Sequence, residues 1–261
     1  MEKRKFIANY HTHTMRCHHA VGEDREYVES AISAGIQILG FSDHVPWPYA
    51  SGYVSPTRMR MDEIGEYCTS ILSLKEEYKD QIEIHIGFEA EHFPSMYADF
   101  RRMIDQYPYE YLILSPHFPG TEELGVYYGR PFSNPAYLER YVEDNIIGME
   151  TGDYLYLAHP DIGLYTGDRT AYEEGLYRLC VTAKKCSMPI ELNLLGFRRN
   201  SHYPSETLMK MAAEIGNDVI LGADAHDPRH FSDPKMIEDC YAFAEQFGVH
   251  LIDRLELKPR G

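Results

Sequence analysis

The chain has 261 residues, 44% hydrophobic, 25% charged and 13% aromatic, a composition that excludes disorder and collagen-like repeats and can fill a sizeable core. Asp and Glu total 41 against 25 Lys and Arg, a formal charge of −16, so nucleic-acid polymers and anionic membranes are unsuited partners. The five cysteines (Cys17, Cys68, Cys180, Cys186, Cys240) show no CxxC spacing, the start MEKRKFIANY lacks an apolar signal core, and no apolar run spans a bilayer; reduced thiols and a cytoplasmic location are expected.

Short β-like runs alternate with helical stretches along the chain. IANYHTH (7–13) precedes a helix expected over 25–34, closed by Gly35. ILGFSDH (38–44) precedes one over 61–78, and EIHIGFE (83–89) a short one over 96–104. YLILSPH (111–117), YLYLAH (154–159) and PIELN (189–193) are followed by helices over 134–150, 172–187 and 205–215. VILGADAH (219–226) precedes the last, 233–247, with Asp233 as cap, Pro234 at its first position and Gly248 after its end. Seven βα units without a linker imply an α/β fold with a parallel sheet, closed as one barrel domain over 1–261.

Metal-ligand residue types collect at one end of these strands: His11 and His13, His44, Glu89, His117, His159, and Asp224 with His226. Structural histidines have no reason to choose the same end of six strands, whereas barrel active sites are built there. Residues two apart on a strand point to the same side, which pairs His11 with His13 and Asp224 with His226. Such a rim suits Zn, Fe or Mn, and a carboxylate such as Glu89 can serve two ions. Without rim placement, His85, His92, His230 and His250 read as structural. Glu191 and Asn193 share parity, so either can face the mouth.

The ordered motifs HTHTMRCHHA (11–20), GFSDH (40–44), GFEAE (87–91), SPHF (115–118), AHPD (158–161) and GADAH (222–226) resemble those of the PHP (polymerase and histidinol phosphatase) metallophosphoesterases. Residues 58–94 resemble the monofunctional histidinol-phosphate phosphatases of that superfamily. The resemblance implies a distorted seven-stranded (βα) barrel of PHP type with three divalent transition-metal ions. By motif position, one ion takes His11, His13, Glu89 and Asp224, a second shares Glu89 and adds His117 and His159, and a third takes His19, His44 and His226. His18 is the alternative to His19.

The implied reaction is hydrolysis of L-histidinol phosphate in histidine biosynthesis. Another small phosphate, such as a nucleotide, and a non-catalytic PHP-like domain are the alternatives. Clustered divalent ions would neutralise phosphate oxygens and make hydroxide available near neutral pH. Asp43 and Asp161 are candidates to protonate the leaving oxygen. GFRRNSHYPS (196–205) resembles the family's substrate loop and offers Arg198, Arg199, His202 and Tyr203, with Arg130 and Arg169 as other rim cations. Glu91, Asp161 and Glu191 suit a cationic substrate, and Trp47, Tyr49 or Phe118 could stack on its ring.

Overall fold

The computed structural model of the protein describes residues 4–257. Its strands are short apolar runs covered on both faces, the pattern of a parallel sheet. β1 (Ala8–Asn9), β2 (Ile38–His44), β3 (Glu83–Ala90) and β4 (Tyr111–Leu114) pair in that order, and β5 (Ile190–Asn193), β6 (Asp218–Gly222) and β7 (His250–Ile252) form a second parallel set. Single bridges join the sets: Leu157 pairs with Leu114 and Ile190, and Thr12 with Ala225. The sheet thereby curls back on itself, zipped where Ala225 accepts from His13 N–H (2.9 Å) and donates to His11 O (3.1 Å).

Eight helices run between or after the strands of the described residues: α1 (Asp24–Ser33), α2 (Ile64–Glu77), α3 (Tyr97–Ile104), α4 (Pro135–Thr151), α5 (Arg169–Lys185), α6 (Leu194–Arg198), α7 (Glu206–Ile215) and α8 (Pro234–Glu245). Asn134, Asp168, Ser205 and Asp233 cap α4, α5, α7 and α8 through their side chains, satisfying amides that have no partner within the helix. Alternate strand residues separate into two apolar clusters. Leu39, Phe41, Ile84, Ile86, Leu112, Leu114, Leu192, Val219 and Leu221 join the helices in the main core. Ala8, Tyr10, Tyr111, Ile113, Tyr156, Ala158 and Ile220 form the smaller one, the inward-facing set of a curled sheet.

Several expected boundaries shift: the runs 7–13, 111–117 and 219–226 are strand only over Ala8–Asn9, Tyr111–Leu114 and Asp218–Gly222, their histidine-bearing ends continuing as irregular chain at the rim. The 154–159 run contributes only the Leu157 bridge, because His159 turns to φ 26° and Pro160 follows. The last strand is β7, which pairs along Asp218–Ile220 and leaves the upper end of that stave to Thr12. Helix α6 occupies part of the loop expected after β5. The five cysteines are free, and no helix of the described residues is long and apolar enough to cross a membrane.

Candidate metal centre

The HTH segment is shaped by Asn9, whose side chain accepts from Ala223 N–H (2.8 Å) and donates to Thr12 Oγ1 (2.7 Å). His11 and His13 consequently lie on one side, with ring centroids 5.1 Å apart. Thr14 caps the 3-10 turn Met15–Cys17, and His18 ends it at φ 64° and is exposed. His19 swings back instead, its Nδ1–H donating to Cys17 O (2.7 Å) and its Nε2 lying 3.0 Å from Nε2 of His226. Two imidazoles sharing one tetrahedral ion stand roughly 3.4 Å apart at their nitrogens, so this pair is spaced for a common cation.

Glu89, buried at the end of β3, is the hub. Its Oε1 faces Nε2 of His11 (3.4 Å), His117 (3.5 Å) and His159 (2.9 Å), while Oε2 faces His13 Nε2 (3.5 Å) and His44 Nδ1 (2.8 Å). Asp224 Oδ1 lies 3.6 Å from His11 Nε2, 3.1 Å from His13 Nε2 and 3.3 Å from His226 Nδ1. His159 and Asp224 both take positive φ, 26° and 47°, a backbone cost of the kind concentrated at functional sites. Several facing atoms, namely His11 Nε2, His13 Nε2, His44 Nδ1 and Glu89 Oε2, are buried without a hydrogen-bond partner. Buried polar atoms left orphaned are rare, and convergent nitrogens and carboxylate oxygens are what a divalent transition metal binds. The donor set therefore fits a multinuclear metal centre.

Ligand-spaced triplets among the described residues are His11–His13–Glu89, His11–His159–Asp224, His44–Glu89–His117, His19–His44–His226 and His13–Cys17–His226. All nine residues named as ligands from the motifs come together. The grouping differs from the motif scheme in three places: His159 stands with His11 and Asp224, His44 belongs to two groups, and His226 also groups with His13 and Cys17. Cys17, fully buried, enters beside His13 without any spacing signal in the sequence.

Electrostatics follow from burial and sign. Burial alone would lower His11, but Glu191, Asp224 and Glu89 outweigh it and hold the imidazole up at about 10. Burial works against His13 and His159 too, yet carboxylates beside them raise both. Glu89 and Asp224 are held well below the carboxylate range, because the surrounding imidazoles overcome burial. His19 falls to about 4, from burial first and then the neighbouring His226 and His13. Metal binding here must displace protons from the carboxylate-flanked imidazoles.

Carboxylates behind the imidazoles set their tautomers. His11 Nδ1–H donates to Glu191 Oε1 (2.7 Å), which also accepts from Tyr156 OH (3.3 Å); Glu191 Oε2 accepts from His159 N–H (2.9 Å) and Asn193 Nδ2 (2.8 Å). Gly222 makes room for this carboxylate, since a Cβ there would sit 1.9 Å from Glu191 Oε1. His117 Nδ1–H donates to Glu91 Oε1 (3.0 Å). Glu191 and Glu91 thus back metal-site imidazoles, which is a correction to their expected role as substrate contacts. Trp47 is buried against Phe93 and Phe100 with its Nε1–H on Glu91 Oε2 (3.1 Å).

The candidate acids and the loop sort by geometry. Asp43 is buried and accepts from Thr14 N–H (3.1 Å), Thr14 Oγ1, His44 N–H (2.7 Å) and His13 Nδ1 (3.4 Å). Asp161 accepts from Ser205 N–H (2.6 Å), and burial raises its carboxyl. His202 Nε2–H donates to Ile162 O (2.8 Å), and the Tyr203 ring stands 6.1 Å from that of His159. These contacts lay the 196–205 segment along the 159–162 turn. Arg198 points elsewhere, to Asp233 (3.2 Å) and His230 O (3.1 Å). Arg199 is exposed and acts electrostatically on Tyr203 and Tyr127, as Arg130 does on Tyr127. Tyr127, 6.1 Å ring to ring from His117, carries no pattern that sequence reading detects. Arg169 pairs with Glu173 (2.7 Å) on an open surface.

A curled parallel α/β sheet with a histidine–carboxylate cluster at its rim is the build of a metal-dependent barrel protein. The PHP domain model matches residues 9–194, and the chain belongs to that family. It is 28% identical over 237 residues to a probable histidinol-phosphatase of Deinococcus radiodurans, covering 85% of this chain and 87% of the relative. It is 25% identical to the histidinol-phosphatase of Bacillus subtilis, covering 83% and 92%. The crystal structure of histidinol phosphate phosphatase from Lactococcus lactis, complexed with zinc, L-histidinol and phosphate, superposes with a TM-score of 0.72 at 19% identity, covering 95% of this chain and 96% of that one.

Proposed function

We propose that this protein is a metal-dependent phosphomonoesterase that hydrolyses L-histidinol phosphate to L-histidinol and phosphate, serving histidine biosynthesis in the cytoplasm as one domain over residues 1–261. The observation that carries the reading is Glu89 with imidazoles on both oxygens, a carboxylate placed for two ions at once. The family relationship and the relatives called histidinol-phosphatase support the choice of substrate.

His11, His13, His19, His44, Glu89, His117, His159, Asp224 and His226 would hold the ions. When bound, divalent ions supply charge neutralisation for the phosphoryl oxygens and hydroxide at neutral pH. The protein's own groups orient and enclose. Asp43 holds His13 and the Thr14 turn, with both oxygens engaged. Proton delivery to the departing alkoxide falls to Asp161, which stands beside the loop carrying Tyr203. Arg199 is the phosphate clamp, with Arg130 a second cation near Tyr127; Arg198 and His202 keep the loop in place. Tyr127 and Tyr203 wall the mouth. The partner is a small phosphate ester, not a nucleic-acid polymer or a membrane.

Steady-state turnover of a phosphomonoester panel tests the reading. kcat/KM for L-histidinol phosphate should exceed that for nucleoside monophosphates and sugar phosphates by at least about two orders of magnitude, roughly 2.7 kcal/mol of transition-state binding. A nucleotide turned over equally well would keep the phosphatase and overturn the pathway.

A further inference from the structure

One buried ion cluster outside the histidines is left over from this account. Arg58 lies in the chain between β2 and α2 and is 2% exposed. Its Nε–H donates to Glu122 Oε2 (2.6 Å), its Nη2 to Glu91 Oε1 (2.5 Å) and its Nη1 to Val45 O (3.4 Å), and the guanidinium stands 5.7 Å from the centre of the Phe118 ring. Glu122 in turn accepts from Ser55 Oγ (2.6 Å) and Thr57 Oγ1 (3.4 Å). Burying one cation between two carboxylates is expensive, and a buried ion pair is weak evidence of a stabilising role, since apolar replacements of similar volume often do as well.

What this cluster touches is informative. Glu91 Oε1 accepts both from Arg58 and from Nδ1–H of His117, and Glu91 Oε2 is fixed by Trp47. With the carboxylate held at both oxygens, His117 keeps its proton on Nδ1 and turns Nε2 toward the rim, where Ser115 Oγ lies 3.0 Å and Glu89 Oε1 3.5 Å away. The partner of a metal-facing imidazole fixes both its tautomer and its ring angle. Arg58 has no hydrogen bond or ion pair to the nine candidate ligands; its short link toward the centre is through Glu91 (2.5 Å), and a longer one reaches Val45 O (3.4 Å), beside His44.

We propose that Arg58 is a positioning residue of the metal centre, acting through Glu91 to hold His117 in the Nδ1–H tautomer with the lone pair of Nε2 presented to a cation. The inference rests on the reading of His117 as a ligand. Lysine is a poor substitute, because one ammonium cannot reproduce the planar fork that reaches Glu122 and Glu91 together.

The test uses the full chain with zinc as probe, in wild type and in the Arg58→Met, Arg58→Lys, Glu91→Leu and His117→Ala variants. Long-range 1H–15N spectra of the metal-free protein report the His117 tautomer, and titration against a chromogenic chelator reports each zinc equivalent. Arg58→Met should keep the wild-type circular dichroism, populate both His117 tautomers, and weaken one zinc equivalent about 10- to 100-fold while sparing the others. Arg58→Lys should recover part of both signals. A folded Arg58→Met protein with an unchanged His117 tautomer and unchanged zinc binding overturns the proposal. If Arg58→Met does not fold, Glu91→Leu decides, because it removes the acceptor that links Arg58 to His117 while Arg58 and Glu122 stay paired: a mixed tautomer supports the proposal and an unchanged one overturns it. His117→Ala separates the two readings. Loss of a zinc equivalent there, with none lost in Arg58→Met, defeats the proposal alone; retention of every equivalent removes His117 from the centre and the proposal with it.

Discussion

His11 and His117 face the same carboxylate of Glu89 from opposite parts of the barrel, and each has a glutamate behind it. The two backings are built differently. Behind His11, Glu191 is satisfied by neutral donors: a tyrosine hydroxyl, a backbone amide and an asparagine amide. Behind His117, Glu91 is satisfied by an arginine and an indole. Glu191 lies in β5, with Asn193 on the same strand and the 156–159 segment beside it, whereas Glu91 follows the last residue of β3 and takes its other partners from Trp47 and Arg58. Neutral donors suffice for the first, and a cation compensates the burial of the second. Burial pushes the Glu91 carboxyl up, yet Arg58 and then His117 bring it to about 2.

The largest effect should come from removing what the two sides share. Glu89→Gln should lose more than one zinc equivalent by elemental analysis and lower kcat/KM by at least about 10³-fold, beyond the loss from any single histidine. An enzyme that keeps full metal content would dissolve the shared hub. Next, Glu191→Gln should weaken zinc by about 10- to 100-fold and more than Glu91→Gln does. A glutamine at 191 must point its amide NH2 at two donors on one side or the other, whereas at 91 it can confront Trp47 alone. Equal losses in chelator competition would mean that the difference in backing carries no weight.

Much of this candidate centre is legible in the sequence. His11, His13, His44, Glu89, His117, His159, Asp224 and His226 all stand where strands end, and a barrel gathers strand ends at one rim. The carboxylates behind them were misread because parity says which side of a strand a residue takes, not whether it fills the mouth or supports a neighbour; Glu191 does the latter. Arg58 was invisible, since it sits in a turn-rich stretch without periodicity and its partners lie 33 and 64 residues away. Helix α6 was missed because Leu194–Arg198 is too short to display a helical period. The strand at 250–252 was missed for the same reason.

The two loop arginines allow a smaller contrast. Arg199→Ala should raise KM for L-histidinol phosphate about 10-fold with zinc content unchanged, whereas Arg198→Ala should act mainly on stability through its lost contacts at the start of α8. Steady-state kinetics beside thermal melts would sort them, and the reverse pattern would move the clamp to Arg198.

The smallest effect concerns an imidazole that has no carboxylate behind it. His92 is buried beside Tyr97 and Tyr154, and burial lowers it to about 4. It is neutral when folded, while the unfolded chain takes up a proton below about 6.5, so stability falls as pH drops from there to about 4. His92→Gln should flatten that dependence by about 2 kcal/mol in urea titrations. An unchanged slope would place the acid sensitivity elsewhere.

The bridge between Thr12 and Ala225 also sets an order of events during synthesis. The first histidine motif is synthesised more than two hundred residues before its partner segment. Until then His11 and His13 have neither Asp224 opposite them nor the Ala225 amide and carbonyl that fix their backbone. The chain must therefore carry these imidazoles without their partner while the intervening residues are made, and the shared rim is complete only once Asp224 and Ala225 have joined it.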